Sequence, residues 1–258
     1  MNRITFLGVW MTPEIGETVS FAVETHEGER VLVDCGTNVT KALLDAGIAP
    51  ETITHIIITH THGDHISGLP TYLFYRLMKV RLLDKKEVQP LTIISTADSL
   101  RVIKEYVRLA YGALADDSSL IFQSVNFGDS IQFEDCSIDF FPAKHQPPTI
   151  AMSWFFSNGK KLTYSGDTAL SDCVLERAQG ADVLIHDVVG TSAYHMLASS
   201  HTLCDQLSER LDGYQIKRLF PVHRLTRYKD DISDYLEELE SNFTGDVLIP
   251  NDGDTFEL

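Results

Sequence analysis

The sequence predicts an α/β protein made of two β-sheets packed face to face, with helices on the outer surfaces. Short strand patterns arrive as two similar groups along the 258 residues, and helical patterns lie between them. A hydrophobic content of 43% is enough for a sizeable core. No linker, repeat or low-complexity tract divides the chain, so we expect a single domain over residues 1–258.

Strand patterns open the chain and a helical pattern follows them. The strands are predicted at residues 4–8, 19–25 and 30–33 and the helix at residues 39–46, where Gly47 ends it. The β-branched run at residues 53–58 then predicts a strand buried on both faces. A polar stretch at residues 59–68 comes next, so a motif in that stretch lies in a loop at the carboxyl end of a strand.

The second half repeats this arrangement. Strands are predicted at residues 120–125, 130–133, 137–141, 150–156, 161–164, 182–185 and 218–221. Helices are predicted at residues 99–109, 203–211 and 232–239. Two strand groups with helices between them are typical of two packed sheets.

The amino-acid composition indicates which binding partners and which cellular compartment suit this protein. A net charge of −16 suits metal cations better than a long nucleic acid, because affinity for a phosphate backbone comes largely from Lys and Arg. The four cysteines are far apart in the sequence and are expected to be reduced. No signal peptide or apolar run of membrane-spanning length is present, so we expect a soluble, cytoplasmic protein without a membrane partner.

The stretch His60-Thr61-His62-Gly63-Asp64-His65 is the strongest functional signal in the sequence. It places three imidazoles and a carboxylate within six residues, and these are ligands that zinc, manganese and iron accept. In an extended loop His60 and His62 point the same way, so both can hold one ion, and Asp64 and His65 can face a second. The competing interpretation is a chance run of polar loop residues.

This motif resembles the HxHxDH signature of the metallo-β-lactamase superfamily, in the form HTHGDHISGLP that is similar to ribonuclease Z. The resemblance implies a four-layer αββα sandwich and two divalent metal ions per chain, with zinc and manganese as the best candidates. Three later residues resemble the remaining ligands: His145 in PAKH, Asp167 in YSGDT and His223 in FPVH. The resemblance assigns His60, His62 and His145 to one ion, Asp64, His65 and His223 to the other, and Asp167 to both.

Two further motifs indicate the branch of the superfamily. Leu184-Ile-His-Asp-Val-Val is similar to the HEAT motif of ribonuclease Z and its relatives, and Ser200-His201-Thr202 is similar to their HST motif. The resemblance implies that His201 acts near a scissile phosphate and is oriented by Asp187, where aspartate replaces the usual glutamate. Alternatively, His201 merely begins a helix and Asp187 caps a strand.

The implied reaction is hydrolysis of a phosphodiester. A hydroxide activated by the metal pair attacks phosphorus, and His201 gives a proton to the leaving alkoxide. Asp64, Asp187 and His201 are therefore the predicted catalytic residues. A β-lactam or thioester hydrolase has less need of the last two, and residues 165–168 lack the cysteine that many β-lactamases use as a ligand.

The predicted substrate is a small nucleotide, most simply a cyclic one. The chain lacks the transfer-RNA arm of ribonuclease Z and its PxKxRN loop, and residues 8–14 read GVWMTPE instead. The same branch contains cyclic-nucleotide phosphodiesterases, among them phage anti-Pycsar enzymes, and its members are commonly homodimers. Two alternatives stay open: an endonuclease that processes transfer-RNA 3′ ends, and a metal-loaded binding protein without catalysis.

Two segments are further candidates for the pocket. Residues 72–87 mix aromatic and basic side chains and could stack a base and steady a phosphate, or form an ordinary amphipathic helix. Residues 190–200 could form a loop that covers the site.

Overall fold

The computed structural model describes residues 1–258. The strands are β1 (Arg3–Gly8), β2 (Ser20–Glu24), β3 (Arg30–Val33), β4 (His55–Ile57), β5 (Leu91–Ser95), β6 (Leu120–Ser124), β7 (Ser130–Gln132), β8 (Cys136–Pro142), β9 (Ile150–Phe156), β10 (Lys161–Tyr164), β11 (Val183–Asp187), β12 (Arg218–Val222), β13 (Asp246–Val247) and β14 (Thr255–Glu257). The α-helices are α1 (Val39–Asp45), α2 (Gly63–Ile66), α3 (Leu69–Leu77), α4 (Ala97–Tyr111), α5 (Asp172–Ala178), α6 (Cys204–Leu211) and α7 (Ser233–Glu240).

The chain divides into two compact units, each built on one seven-stranded sheet. The first unit comprises Met1–Gly8, Glu17–Val125 and Asn251–Glu257, and its sheet has the order β14-β1-β2-β3-β4-β5-β6. Strands β1 to β3 pair antiparallel, whereas β3 to β6 are parallel. Apolar side chains of α1, α3 and α4 pack with those of the sheet in one core. Because β3 and β4 are parallel neighbours, the residues that follow them meet at one edge of the sheet.

The second unit comprises Val9–Gly16, Asn126–Pro250 and Leu258, and its sheet has the order β13-β12-β11-β10-β9-β8-β7. Strands β10 to β13 are parallel, and β8 runs in the same direction because β9 pairs antiparallel with both β8 and β10. Helices α5, α6 and α7 contribute to one core on this sheet. The carboxyl ends of β8, β10, β11 and β12 therefore lie at the same edge.

Most predicted elements are present, but several differ. Strand β5, helix α5 and the short edge strands β13 and β14 were not predicted, because short segments carry little periodicity. Residues 59–68, expected as a loop, contain the short helix α2. The expected helix within residues 72–87 ends at Leu77 and continues as the π-helix Met78–Leu83. The single domain expected over residues 1–258 stays a prediction. Equal calorimetric and van't Hoff enthalpies of unfolding would support it.

Candidate metal centre

The histidine-rich motif leaves the carboxyl end of β4, as the sequence predicts. His60 and His62 lie side by side, and His60 Nε2 is 3.1 Å from His62 Nδ1. Asp64 and His65 lie on α2, and His65 Nε2 is 3.3 Å from an Asp64 carboxylate oxygen. His60 and His65 are fully buried, while His62 is exposed and Asp64 is partly exposed. One short stretch of the first unit thus brings four donor side chains together.

Asp34 is a buried aspartate that the sequence did not reveal, and its carboxylate binds two residues of this stretch. Its carboxylate accepts hydrogen bonds from His65 Nδ1 at 2.9 Å and from the Thr59 backbone N–H at 2.8 Å. The Thr59 hydroxyl donates to the same carboxylate at 2.9 Å and lies 3.1 Å from His60 Nδ1. Two of the predicted ligands are therefore oriented by one carboxylate, directly for His65 and through Thr59 for His60.

Complete burial raises the pKa of the Asp34 carboxyl above its ordinary value, although His65 and the Thr59 donors act to lower it. Asp34 follows β3 directly, in a left-handed backbone conformation with φ of 60°. The available signal was an aspartate immediately after the apolar run of β3. Its meaning depends on β3 and β4 being parallel neighbours, which the sequence alone does not specify.

In the second unit, three predicted ligands follow three different strands. His145 comes after β8, Asp167 after β10 and His223 after β12. Asp167 Oδ2 lies 3.9 Å from His145 Nε2 and 3.5 Å from His223 Nε2. All three side chains are buried. The shared edge of the sheet thus brings together residues that are far apart in sequence.

The Nδ1 atoms of His145 and His223 also lie close to oxygen atoms. His145 Nδ1 donates to the Ser200 carbonyl at 2.9 Å, and His223 Nδ1 lies 3.4 Å from Asp187 Oδ1. Histidines that ligate metals usually donate their second nitrogen to a carboxylate or carbonyl, which fixes the ring and its tautomer. The Nε2 atoms of both rings are consequently directed toward Asp167.

Asp187 and His201 form the pair that the sequence predicts. His201 Nδ1 donates to Asp187 Oδ2 at 2.9 Å, and the same oxygen accepts the Thr168 backbone N–H at 2.8 Å. Burial of Asp187 acts to raise its pKa, but His201 and His223 outweigh burial, and the pKa lies below its ordinary value. The His201 and His223 rings stack with centroids 4.9 Å apart. An ionised Asp187 therefore contacts both a predicted ligand and the predicted acid.

The donor set suits divalent metal ions. In the first unit, ligand atoms of His60 and His62 lie within 4.8 Å of one another, as do those of Asp64 and His65. In the second unit the same limit holds for Asp167 with His145, for Asp167 with His223, and for the group Asp187, His201 and His223. Imidazole nitrogens and carboxylate oxygens, mostly buried and with several rings held in place, fit the metals that the resemblance implies.

Several aromatic and basic side chains at residues 72–87 already have partners within the protein, although Phe74 is exposed and stacks on Tyr111. Tyr72 is buried and donates to the Pro50 carbonyl at 2.8 Å, and Arg76 is only 2% exposed and donates to the Gln89 carbonyl. Arg81 is paired with Asp117 and Lys79 with Asp84. Tertiary packing has placed part of the aromatic and basic pattern in the core, which supports the interpretation as an ordinary amphipathic helix.

Comparison with known proteins agrees with these observations. The family model described as "Anti-Pycsar protein Apyc1" matches residues 3–243. Ribonuclease Z of Natronomonas pharaonis is 24% identical over 315 aligned residues, covering 99% of this chain and 97% of the relative. The metallo-beta-lactamase fold protein YhfI from Bacillus subtilis has a TM-score of 0.82 at 19% identity, over 100% of both chains. The short form of human tRNase Z has a TM-score of 0.75 at 22% identity, covering 99% of this chain and 98% of that one.

These findings confirm the predicted metallo-β-lactamase fold and the resemblance to the ribonuclease Z-like branch. They also confirm the prediction of a metal-dependent hydrolase. None of the α-helices combines the length and the hydropathy that a bilayer-spanning helix requires. Because the family model extends over residues 3–243, the chain belongs to the Anti-Pycsar protein Apyc1 family.

Proposed function

We propose that this protein is a metal-dependent phosphodiesterase that opens a cyclic mononucleotide. The observation that carries the proposal is the His201 ring, held through Nδ1 by the buried Asp187 at 2.9 Å. In the imidazolium form the ring also carries a proton on Nε2, which it can give to a leaving alkoxide, a poor leaving group without one. Hydrolysis of a lactam or thioester has less need of such a residue. The family's description as an anti-Pycsar protein is consistent with a small signalling nucleotide as substrate.

We further propose that the chain holds two divalent ions, zinc or manganese. His60, His62 and His145 would hold one ion, Asp64, His65 and His223 the other, and Asp167 both. The likeness to YhfI over the whole chain and the order of the motifs support this assignment. When bound, such a pair lowers the pKa of water and offsets charge on the phosphoryl oxygens.

Metal content tests this assignment directly. Asp167→Ala is expected to lose bound metal and all measurable turnover, while the wild type retains two ions per chain after dialysis. Asp172→Ala serves as control, because Asp172 is an exposed aspartate of α5 that pairs with Arg210 on the surface. Full metal content in Asp167→Ala, measured by inductively coupled plasma mass spectrometry, would contradict the bridging role.

A small substrate is favoured over a long RNA by the state of the surface cations. Arginines that could face a polyanion are already paired with acidic neighbours: Arg81 with Asp117, Arg101 with Asp98, Arg108 with Asp116, Arg210 with Asp172 and Arg227 with Asp234. Releasing these pairs would reduce the gain from binding phosphates. Together with a net charge of −16, this disfavours an extended nucleic-acid surface.

Processing of transfer RNA is the second candidate, favoured by the relative named ribonuclease Z, which aligns with 99% of this chain. It would require a basic surface that assembles only in a dimer, since the chain carries a net charge of −16. A binding protein without turnover is the weaker alternative, because it has no use for an acid held as His201 is.

A turnover panel separates these functions. We would test 3′,5′-cyclic mononucleotides, 2′,3′-cyclic mononucleotides, cyclic dinucleotides, a precursor transfer RNA and a β-lactam, each with Mn²⁺ and with Zn²⁺. Rapid opening of a cyclic mononucleotide with intact RNA supports the proposal. Clean 3′ cleavage of the RNA would establish the second candidate, and binding without turnover of any substrate would establish the third.

We also propose a cytoplasmic homodimer. Apolar side chains are exposed on α3, α4 and the π-helix of the first unit: Phe74, Leu82, Leu83, Leu109 and Tyr111. Leu109 is 78% exposed, and Phe74 and Tyr111 stack with ring centroids 4.7 Å apart. Such a surface is typical of a protein interface. Light scattering should give twice the chain mass for the wild type, a lower mass for Leu109→Glu and an unchanged mass for the control Leu44→Glu on α1.

A further inference from the structure

The loop that carries His201 is closed at its base. We call residues 190–203 the acid loop. Gly190 and Leu203 form a parallel bridge, the Val189 N–H donates to the Thr202 carbonyl at 3.0 Å, and the Cys204 N–H donates to the Gly190 carbonyl at 2.9 Å. The acid loop therefore begins and ends at one place in the second unit, and its conformation between these points determines where His201 lies.

The first part of the acid loop is attached to the C-terminal helix α7. Both carboxylate oxygens of Glu238 are used: one accepts the Ser192 backbone N–H at 2.8 Å and the other accepts the Ser192 hydroxyl at 2.7 Å. Tyr228 reinforces the attachment, because its hydroxyl accepts the Thr191 N–H at 3.0 Å. A Cβ on Gly190 would lie 3.0 Å from that hydroxyl, so any larger residue at this position would require Tyr228 to shift.

The attachment point connects directly to His201 through a short helix. Ser192 begins the 3₁₀-helix Ser192–Leu197, and the Leu197 carbonyl accepts the His201 N–H at 2.9 Å. The segment has no fully buried residue and Met196 is 75% exposed, but Tyr194, at which the backbone kinks, packs against the core of the second unit and lies edge-on to Tyr228 with ring centroids 6.3 Å apart. The packing of Tyr194 and the hydrogen bonds at the two ends of the segment therefore hold it in place together.

We propose that Glu238 is a positioning residue for the reaction, which sets the place of His201 through Ser192 and the 3₁₀-helix. This proposal rests on the proposed function, in which His201 protonates the leaving oxygen. Glu238 itself contacts neither of the predicted metal groups nor the Asp187 carboxylate. Its loss should therefore act on the step that needs the acid more than on a reaction that does not, and metal content is measured on the same variant because the Ser200 carbonyl in the acid loop accepts His145 Nδ1.

Leaving groups distinguish positioning from a general structural role. A cyclic mononucleotide expels an alkoxide that needs a proton, whereas bis-p-nitrophenyl phosphate expels p-nitrophenolate, which does not. Glu238→Ala is expected to lower kcat for the cyclic nucleotide about three- to tenfold, the effect of one or two hydrogen bonds, with KM and the aryl ester rate unchanged. Glu238→Gln, which keeps one acceptor oxygen, should lose less. Glu237→Gln, at the neighbouring exposed position of α7, is the matched control.

Hydrogen exchange of the metal-free protein gives a readout that does not depend on substrate. Glu238→Ala should increase exchange at residues 192–201 and leave β11 unchanged. Equal losses on both substrates, or unchanged exchange in the acid loop, would overturn the proposal. If the wild type opens no cyclic mononucleotide, the proposed function fails instead, and the exchange experiment still decides whether Glu238 holds the acid loop.

Discussion

Asp34 and Asp187 occupy corresponding places in the two units but differ in what they hold. Each is a buried aspartate at the carboxyl end of a parallel strand, β3 for Asp34 and β11 for Asp187. Asp34 contacts one imidazole directly and a second through the Thr59 hydroxyl. Asp187 contacts two imidazoles, those of His201 and His223. Its pKa is accordingly lowered, whereas the pKa of Asp34 is raised by burial.

The two buried aspartates therefore have similar positions in their units but different predicted roles. At Asp34, both oriented rings are predicted metal ligands, so the carboxylate contributes to metal binding alone. At Asp187, one ring is a predicted ligand and the other is the predicted acid. Under the proposed assignment, Asp187 would couple metal binding to proton delivery, and substitutions should separate the two roles.

The largest effect is expected for Asp187→Asn. The amide keeps one acceptor oxygen and replaces the other by NH2, so at least one of the two rings, His201 or His223, loses its acceptor and has its tautomer and orientation disturbed. We expect turnover of the cyclic nucleotide to fall by roughly 10² to 10⁴ and metal affinity to fall by roughly 10 to 100. Turnover and metal titration measured on the same sample test both effects, and a loss of only one of them would show that the coupling is absent.

His201→Ala should remove the acid and spare the metals. Turnover of the cyclic nucleotide is expected to fall by roughly 10² to 10⁴, with unchanged metal content and a smaller loss on bis-p-nitrophenyl phosphate. His195→Ala, an exposed histidine of the same loop, is the control. Loss of metal from His201→Ala would assign His201 to the metal site and reverse the distinction between the two aspartates.

Asp34→Asn should weaken metal binding alone, by roughly 10 to 100 in affinity. The ratio of cyclic nucleotide to aryl ester turnover should stay at the wild-type value when metal is saturating, because His201 is untouched. Thr59→Val, which removes only the hydroxyl between His60 and Asp34, should give a smaller shift. A changed ratio in Asp34→Asn would mean that the first unit also governs proton delivery.

The same contrast explains which parts of the site could be predicted from the sequence. The six residues from His60 to His65 are contiguous and dense in ligands, so their chemistry is evident without a fold. His145, Asp167 and His223 became recognisable only through a family resemblance, because each lies alone after its strand. Asp34 and the Ser200 carbonyl were missed, since a backbone oxygen leaves no trace in the sequence and Asp34 acts only through the pairing of β3 with β4. Likewise, the pattern at residues 72–87 could not show that Tyr72 and Arg76 are buried.

A third aspartate gives the smallest expected effect, because it lies at the opposite end of the strand that Asp187 terminates. Asp182 precedes β11, and its carboxylate accepts the Lys217 ammonium at 2.7 Å and the Lys161 N–H at 3.0 Å. Burial acts to raise its pKa, but these donors and Lys160 lower it below its ordinary value. Asp182→Asn should leave turnover unchanged. It should lower the free energy of unfolding by only about 1 kcal/mol, since the side chains of Lys160 and Lys217 that pair with it are solvent-exposed.

The pH dependence of the free energy of unfolding tests the prediction for Asp182→Asn. Because the folded pKa of Asp182 lies below the unfolded one, its contribution is present above the unfolded pKa and is lost as the pH falls through the folded value. Urea unfolding of the metal-free protein should therefore give a lower free energy of unfolding for Asp182→Asn than for the wild type at pH 7. This gap in free energy should narrow below about pH 4. A constant gap would mean that Asp182 acts through packing. Reduced turnover at pH 7 would mean that the chemistry of the second unit is not confined to the carboxyl ends of its strands.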